Sequence, residues 1–249
     1  MSYYKDRTGE KHFSNQGYEV EIIKYFSATN CTIRFNDERN TIREKVAVKE
    51  ILSGSVKNSY HPETLGVGYM GVGKYTSRID GKMTKCYTCW NNMLRRSCSI
   101  KYKQKHPTYK EVTLCKEWHN FQNFAQWFEN NYTEDFELDK DILVKGNKTY
   151  SPKTCAFIPN EINLLFTKRD FKRGELPIGV RKSGNKFKAC IRKEGNEIYI
   201  NTFKTPQEAF QAYKTVKEQH IKEITYKWKD KINPRAYIAL INYKVEITD

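Results

Sequence analysis

Hydrophobic and polar residues alternate with a period of two between about residues 17 and 60. In the stretch NCTIRFND, Cys31, Ile33 and Phe35 share one face, whereas Thr32 and Arg34 point the other way. Such alternation predicts β-strands with one buried face. We therefore predict a small, highly curved β module that ends in the turn-rich sequence SGSVKNSYHPE.

A glycine-rich stretch, LGVGYMGVGKY, follows this module. Gly66, Gly68 and Gly71 match the pattern G-x-G-x-x-G, which must open a helix in a dinucleotide-binding fold. Here the chain continues into KYTSRIDGKM instead, and Asp80-Gly81 is a typical hairpin turn. We interpret the glycines as a bend or hairpin and not as a nucleotide site.

From Tyr87 onward the hydrophobic period changes to three and four, which is typical of helices. The first predicted helix has one apolar face, formed by Trp90, Met93, Leu94 and Ser97. A short strand at Val112–Cys115 precedes an aromatic helix, whose core-facing stripe is Trp118, Phe121, Phe124, Ala125 and Phe128. His119 lies beside that stripe, a position that suits a surface or supporting residue better than a catalyst.

The region that follows predicts a strand–strand–helix hairpin. FELDKDIL and TCAFIP are strand-like, the loop between them contains Gly146 and Asn147, and NEINLLFTK fits a short helix. A residue that ends the first strand can then face the helix, so Asp139 could approach Asn163. One carboxylate and one amide oxygen, completed by water, form the incomplete oxygen shell that Mg²⁺ accepts. Exposed strand-end acids and a turn asparagine are the alternative interpretation.

The last unit runs from Leu176 to about Trp228. Its three predicted strands are residues 177–182, 186–192 and 197–203, joined by the tight turns SGN and KEGN. A helix follows, with Thr205 as N-cap, Pro206 in the first turn and Glu208 completing a capping box.

One face of this predicted sheet is cationic. Phe187, Ala189 and Ile191 are predicted to face the helix. The open face then carries Arg181, Lys186, Lys188 and Arg192. Residues 166–232 contain 17 lysines and arginines against 8 aspartates and glutamates. Such a sheet fits a nucleic-acid groove.

Composition points the same way. The chain has 44 lysines and arginines against 29 acidic residues, a formal net charge of +15. This excess favours a polyanionic partner, and we expect double-stranded DNA. No apolar run is long enough to span a membrane and the first residues lack a signal-peptide core, so we expect no membrane and a cytoplasmic protein. The sequence points to no obligate protein partner.

The seven cysteines do not form a disulfide framework, because their number is odd and their spacing irregular. Cys86 and Cys89 form a C-x-x-C pair, but no second close pair completes a zinc site. We therefore expect reduced thiols and no structural zinc.

Residues from Trp90 to about Arg169 resemble phage HNH-type endonucleases. The segments that carry the resemblance occur in the family's order: WNNMLRR, PTYKEVTLCKEWHNFQNFAQWF, LDKD, GNKTYSP, TCAFIP and EIN. Residues 176–228 resemble the AP2-type DNA-binding domain through IGVRKSGNKFKACI, INTF and TPQEAFQAY. The resemblance implies a phage-encoded homing endonuclease that acts in the bacterial cytoplasm.

The resemblance also implies roles for individual residues. Asp139 and Asn163 fall at the metal-ligand positions, for Mg²⁺ or Mn²⁺, and Asn147 at the position that orients the hairpin. Lys140 stands where the family has its histidine base, and a protonated lysine is a poor base. Lys140 is then expected to bind a phosphate. Asp141 could help to hold the metal or position water, and His119 could enter from the preceding helix.

We therefore predict an α+β protein of three segments. They are a small N-terminal β module at 1–65, a ββα-metal (HNH-like) nuclease module with flanking helices at 66–170, and an AP2-like three-stranded sheet plus helix at 171–249. DNA-binding residues are expected to be Arg181, Lys182, Lys186, Lys188 and Arg192. The predicted function is metal-dependent DNA cleavage, and the alternative is a catalytically inactive, HNH-derived DNA-binding protein that acts as a regulator or counter-defence factor.

Overall fold

The computed structural model describes residues 5–167, 175–247 and 249. The chain forms two compact units. The first comprises residues up to Tyr102 together with Lys116–Ala125, and the second comprises Lys103–Cys115 together with Gln126–Asp249. The protein is of mixed α+β class, as predicted.

The first unit begins with a four-stranded antiparallel sheet. Its strands, in the order β1-β2-β3-β4, are β1 (Lys11–Phe13), β2 (Glu19–Ser27), β3 (Asn30–Phe35) and β4 (Ile42–Val46), and a short helix α1 (Val48–Leu52) follows. Cys31, Ile33 and Phe35 are all 0% exposed. The predicted alternation on β3 is therefore confirmed for the core face, although Thr32 on the other face is also buried.

The glycine-rich stretch leads to a hairpin and not to a helix. The hairpin consists of β5 (Arg78–Ile79) and β6 (Lys82–Met83), joined by Asp80 and Gly81, which both have positive φ. The glycines allow close packing, because a Cβ at Gly68 would lie 2.6 Å from a methyl group of Leu94. The interpretation of this stretch as a bend and hairpin is confirmed.

Of the two longer helices that follow, the first belongs to the first unit, whereas the second belongs to it only up to Ala125. On α2 (Lys85–Cys98), which Thr84 caps, the buried residues are the predicted Trp90, Met93, Leu94 and Ser97. After α3 (Ile100–Lys105), the aromatic segment forms a 3₁₀ turn at Lys116–His119 and then α4 (Phe121–Asn131). The aromatic helix therefore begins later than predicted: Trp118 and His119 belong to the 3₁₀ turn, although Trp118 is fully buried as expected.

The second unit contains the predicted hairpin. Short strands β7 (Thr113–Leu114) and β9 (Thr149–Tyr150) pair in parallel. β8 (Phe136–Asp139) pairs antiparallel with β10 (Ala156–Pro159), and α5 (Asn160–Leu165) follows β10 directly. The strand–strand–helix order is thus as predicted, but Lys140–Leu143 form a bend and do not extend the first strand.

The C-terminal part of this unit is a three-stranded antiparallel sheet packed on a long helix. Its elements are β11 (Val180–Ser183), β12 (Lys186–Lys193), β13 (Asn196–Phe203), α6 (Pro206–Lys227) and α7 (Pro234–Ile241). Thr205 and Glu208 form the predicted capping box at the start of α6. Ala189 and Ile191 are buried in the core that α6 contributes to, as predicted.

One hydrophobic core joins the hairpin to this sheet and helix. Ile158 of β10 and Ile162 of α5, both 0% exposed, belong to the same buried cluster as Ala189 of β12 and Tyr213 of α6. The two compact units have other bounds than the three predicted segments. In particular, apolar residues on both sides of residue 170 belong to one core of the second unit. The predicted boundary at 170/171 itself lies outside the described residues.

In the described ranges of the chain, none of the helices combines the length and the apolar character that a membrane span requires.

Candidate functional site

The candidate site is built around the end of β8. In the antiparallel pairing, Asp139 lies opposite Ala156 and Glu137 lies opposite Ile158. Because side chains alternate along a strand, Glu137 and Asp139 point to the same face of the sheet. Ile162 anchors α5 in the core next to these strands.

The Asp139 carboxylate is fixed by the turn that follows it. Its Oδ1 atom accepts hydrogen bonds from the backbone N–H groups of Asp141 at 2.8 Å and Ile142 at 2.7 Å. Burial raises the pKa of Asp139 to about 6, and the nearby Asp141 carboxylate acts in the same direction, against the two backbone hydrogen bonds. A partly buried carboxylate beside a second one is a local excess of negative charge, which a cation would relieve.

Lys140 supplies part of that compensation. Its Nζ atom lies 3.0 Å from Oδ2 of Asp141, and the lysine side chain is 14% exposed against 43% for the aspartate. Lys140 is therefore held at the site, beside the carboxylates, and its ammonium group faces an acid. This is the arrangement of a charge-neutralising group and not that of a general base.

Asn147 braces the loop between β8 and β9. Its Nδ2 atom donates to the backbone carbonyl oxygen of Lys140 at 2.6 Å and to that of Thr149 at 2.8 Å. Gly146, just before it, has a positive φ of 77°, which favours glycine at that turn. The asparagine thus joins the backbone at Lys140 to the backbone at Thr149 across the loop.

Asn163, on α5, reaches the strand face that carries Asp139. Its Nδ2 atom donates to Oε2 of Glu137 at 2.6 Å. Glu137 and Asp139 point to the same face of β8, so the asparagine side chain lies over that face as well. The structure therefore places the predicted residues Asp139, Lys140, Asp141 and Asn147 at the end of β8 and in the loop that follows it, and Asn163 donates to Glu137 of the same strand.

The donor set fits a hard divalent cation. Asp139, Asp141 and the carbonyl oxygen of Asn163 offer only oxygen, and Mg²⁺ uses one or two carboxylates together with water and phosphate oxygens. Within residues 5–167, 175–247 and 249, no group of three or more His, Cys, Asp or Glu side chains is placed to hold a metal ion.

His119 belongs to the first unit, at the end of the 3₁₀ turn, whereas Asp139 belongs to the second. Burial lowers the pKa of His119, and the positive charge of Lys116 acts in the same direction, so its neutral form is favoured. Its backbone carbonyl oxygen accepts from the N–H of Tyr69 at 2.9 Å. A role for His119 in the chemistry at Asp139 stays a prediction.

The second part of the candidate site is the open face of the C-terminal sheet. Lys188 pairs with Arg181 on one side and Thr202 on the other, and Arg192 pairs with Glu197. The exposed cations Arg181, Lys186, Lys188 and Arg192 alternate with the residues that face α6. Lys182 differs from them, because it pairs with Phe187, whose ring packs on the core side of the sheet.

Arg181 is engaged within the protein. Its Nη1 atom lies 3.1 Å from Oε1 of Glu197, and the second nitrogen contacts the other carboxylate oxygen. A nucleic acid that binds Arg181 would have to displace an acidic partner. Lys186, Lys188 and Arg192 are therefore the stronger candidates for phosphate contacts.

Two candidate residues were missed by sequence reasoning. Glu137, the hydrogen-bond partner of Asn163, could have been noticed because it precedes Asp139 by two positions in FELD, and residues i and i+2 share a strand face. Tyr199 is 55% exposed and lies opposite Cys190, in the middle of the open face. The sequence does not indicate that Tyr199 lies on the open face, because its position opposite Cys190 depends on the irregular register between β12 and β13 near Ala189.

Comparisons of the chain with models of protein families, with curated proteins and with solved structures gave no match.

Proposed function

We propose that this protein is a divalent-metal-dependent DNA endonuclease that cuts at the hairpin of β8, β10 and α5. The observation that carries the proposal is the charge arrangement at Asp139. A carboxylate fixed by two backbone N–H groups lies beside Asp141, and Asn163 lies over the same strand face. Asp139 and Asn163 would hold the ion, in keeping with the sequence resemblance to phage HNH-type homing endonucleases.

A bound Mg²⁺ or Mn²⁺ supplies Lewis-acid stabilisation of the negative charge that develops on the phosphate and the leaving oxygen. The protein's own groups then have three tasks. Lys140 contacts a phosphate oxygen once DNA draws its ammonium group away from Asp141. Asp141, released from that ion pair, accepts a hydrogen bond from the attacking water and orients it. Asn147 holds the backbone of the loop, so that only the side chains of Lys140 and Asp141 need to move.

Binding of the duplex is assigned to the basic surfaces of the protein. Phosphate contacts by lysine and arginine release condensed counterions, and they account for most of the affinity of a protein of net charge +15. Lys186, Lys188 and Arg192 on the open sheet face provide the directed part of this contact, and the sheet's shape suits a groove.

A plasmid-nicking assay tests the proposal directly. The wild-type protein should convert supercoiled DNA to nicked or linear DNA in Mg²⁺ or Mn²⁺ and should leave it intact in a chelator. Asp139→Ala should abolish cleavage and leave DNA binding intact or slightly tighter, because a negative charge facing the backbone is removed. Cleavage that persists in Asp139→Ala would sink the assignment of this site.

The second candidate function is DNA binding without cleavage, and the Lys140–Asp141 ion pair favours it. In this arrangement the position expected to carry a base carries a cation that neutralises an acid. Lys140→His separates the two functions, because a neutral imidazole near pH 7 can act as a base. In a working site this variant should retain or raise cleavage. If both it and the wild type leave every tested DNA uncut in Mg²⁺ and Mn²⁺, including the DNA of the source genome, the hairpin is a scaffold for binding.

A further inference from the structure

We infer that Glu137 is a positioning residue that orients the Asn163 side chain, so that its carbonyl oxygen and not its NH₂ group faces the metal ion. The inference rests on the proposed function and deepens it. An asparagine amide has an oxygen and a nitrogen of similar size, and only the oxygen can bind a cation. A site that uses asparagine therefore needs something to choose between the two orientations.

The hydrogen bond between the two residues makes that choice. Nδ2 of Asn163 donates to Oε2 of Glu137 at 2.6 Å, which is short for an N–H···O bond. Glu137 offers an acceptor, so only the NH₂ group of the amide can face it, and the oxygen must point elsewhere. Because Glu137 and Asp139 share a strand face, an amide turned in this way lies on the side of β8 that carries Asp139.

The helix that carries Asn163 is itself held at both ends. Near its start, Glu161 accepts hydrogen bonds from Nζ of Lys227 at 2.8 and 2.9 Å and from Nε1 of Trp228 at 2.7 Å. At its end, the carbonyl oxygen of Leu165 accepts from Nζ of Lys217 at 2.7 Å. Helix α5 is thus held against α6 and Trp228. The freedom left to Asn163 is therefore mainly the rotation of its side chain.

Trp228 also ties the two parts of the hairpin to each other. Its indole ring packs edge-to-face on Phe136 of β8 at a centroid distance of 5.7 Å, while its N–H holds Glu161 of α5. The spacing between strand and helix is therefore set by residues other than Glu137 and Asn163. Losing the Glu137 hydrogen bond should free the amide without displacing the helix, which makes Glu137 suitable for a clean test.

The experiment is a titration of the protein with Mn²⁺, followed by the electron paramagnetic resonance signal of the free ion, in the absence of DNA. Five proteins are compared: the wild type, Asp139→Ala, Glu137→Ala, Asn163→Asp and the double variant Glu137→Ala/Asn163→Asp. An aspartate at position 163 presents an oxygen atom in either orientation, so Glu137 has no orientation to choose in that background. A direct charge effect or direct metal ligation by Glu137 would persist there, so the two backgrounds separate orientation of the amide from either of these.

We expect Glu137→Ala to bind Mn²⁺ about tenfold more weakly than the wild type, the lower end of the effect of losing an outer-shell partner. In the Asn163→Asp background the same substitution should change the Mn²⁺ affinity by less than about threefold, because no orienting partner is lost. Equal weakening in both backgrounds would overturn the inference and assign Glu137 as a ligand or a charge. An unchanged affinity of Glu137→Ala in the Asn163 background would overturn it as well. Wild-type protein that binds no more Mn²⁺ than Asp139→Ala does would instead remove the metal site of the proposed function, and this inference with it.

Discussion

The hairpin at Asp139 and the open face of the C-terminal sheet both carry several charged residues, but they use them in opposite ways. In the hairpin the charged and polar groups meet one another: Asp139 with backbone N–H groups, Lys140 with Asp141, and Asn163 with Glu137. On the sheet, Lys186, Lys188 and Arg192 point outward and are exposed. The first arrangement holds each group by a hydrogen bond or an ion pair, whereas the second provides charge without holding it in one place.

This difference matches the two kinds of ligand in the proposed function. A small divalent ion needs oxygen atoms at set distances, so its site must be organised before the ion arrives. A duplex presents a phosphate on each strand about every 3.4 Å, and long flexible cations can adapt to it. Both regions share one core through α6, so removing residues 176–249 would damage the hairpin as well. Point substitutions therefore test the comparison better than truncation does.

The largest effect is expected on the sheet. Replacing Lys186, Lys188 and Arg192 together by alanine should weaken duplex binding by about 100-fold at low salt. It should also reduce the slope of log K against log salt by up to about 0.9 for each phosphate that the variant no longer neutralises. A fluorescence-anisotropy titration over a salt series measures both quantities. The folded state should be unaffected, because all three side chains are exposed.

Lys182 provides the matched control for this prediction. It lies on β11, one residue from Arg181, but its pairing with Phe187 puts it on the other side of the sheet. Lys182→Ala removes the same charge as Lys188→Ala, yet it should leave the salt slope nearly unchanged, while Lys188→Ala lowers it by about 0.9. Equal slopes for the two variants would mean that net charge alone, and not the open face, governs binding.

The next effect concerns the cost of the organised site. At pH 7 the Asp139 carboxylate is partly buried beside Asp141, and its raised pKa of about 6 means that the fold disfavours the ionised form. Asp139→Asn keeps an oxygen that can accept from the N–H groups of Asp141 and Ile142 but removes the charge. We expect it to raise the free energy of unfolding by roughly 1–3 kcal/mol at pH 7 in a chelator, while abolishing cleavage.

The stability difference between the wild type and Asp139→Asn should depend on pH. A carboxyl group whose pKa is higher in the folded state than its ordinary 3.8 destabilises the fold above pH 6, and the penalty disappears as the pH falls toward 4. Urea denaturation of both proteins should therefore show a stability difference that is full at pH 7 and small at pH 4. A variant that is less stable than the wild type at pH 7 would show that Asp139 supports the fold and is not held there at a cost.

Local patterns in the sequence predicted much of the fold. The alternation of Cys31, Ile33 and Phe35, the capping box of Thr205 and Glu208, and the helical stripe from Trp90 to Ser97 each depend on neighbours a few residues apart. The start of the aromatic helix was placed too early, because Trp118 fits the helical spacing although it lies in a 3₁₀ turn. Hydrophobic spacing alone does not distinguish a 3₁₀ turn from the first turn of an α-helix.

The site was predictable only in part, and for a physical reason. Asp139, Lys140 and Asp141 are adjacent in the chain, so one turn suffices to bring them together. The partners that orient and hold the helix are remote: Glu137 is 26 residues from Asn163, and Lys217 is 52 residues from Leu165. The first pair depends on how α5 packs against β8 and the second on how α6 packs against α5, which no local pattern reports. The shared core across residue 170 escaped prediction for the same reason.

The smallest predicted effect concerns Lys217, a partly buried cation, in contrast to the exposed cations of the sheet. Lys217 lies on the inner side of α6, where burial lowers its pKa to about 8 and its Nζ atom donates to the carbonyl oxygen of Leu165. Because its folded-state pKa is below the ordinary 10.5, the charged form is disfavoured in the fold, and the resulting penalty is present below pH 8 and is lost as the pH rises toward 10.5. The neutral amine can still donate its hydrogen bond to α5.

We therefore expect the free energy of unfolding of the wild type to rise by roughly 1–2 kcal/mol between pH 8 and pH 10 relative to that of Lys217→Met, measured by urea denaturation at each pH. If Lys217→Met and the wild type change in parallel, Lys217 is hydrated in solution, and the end of α5 is held by the hydrophobic core alone.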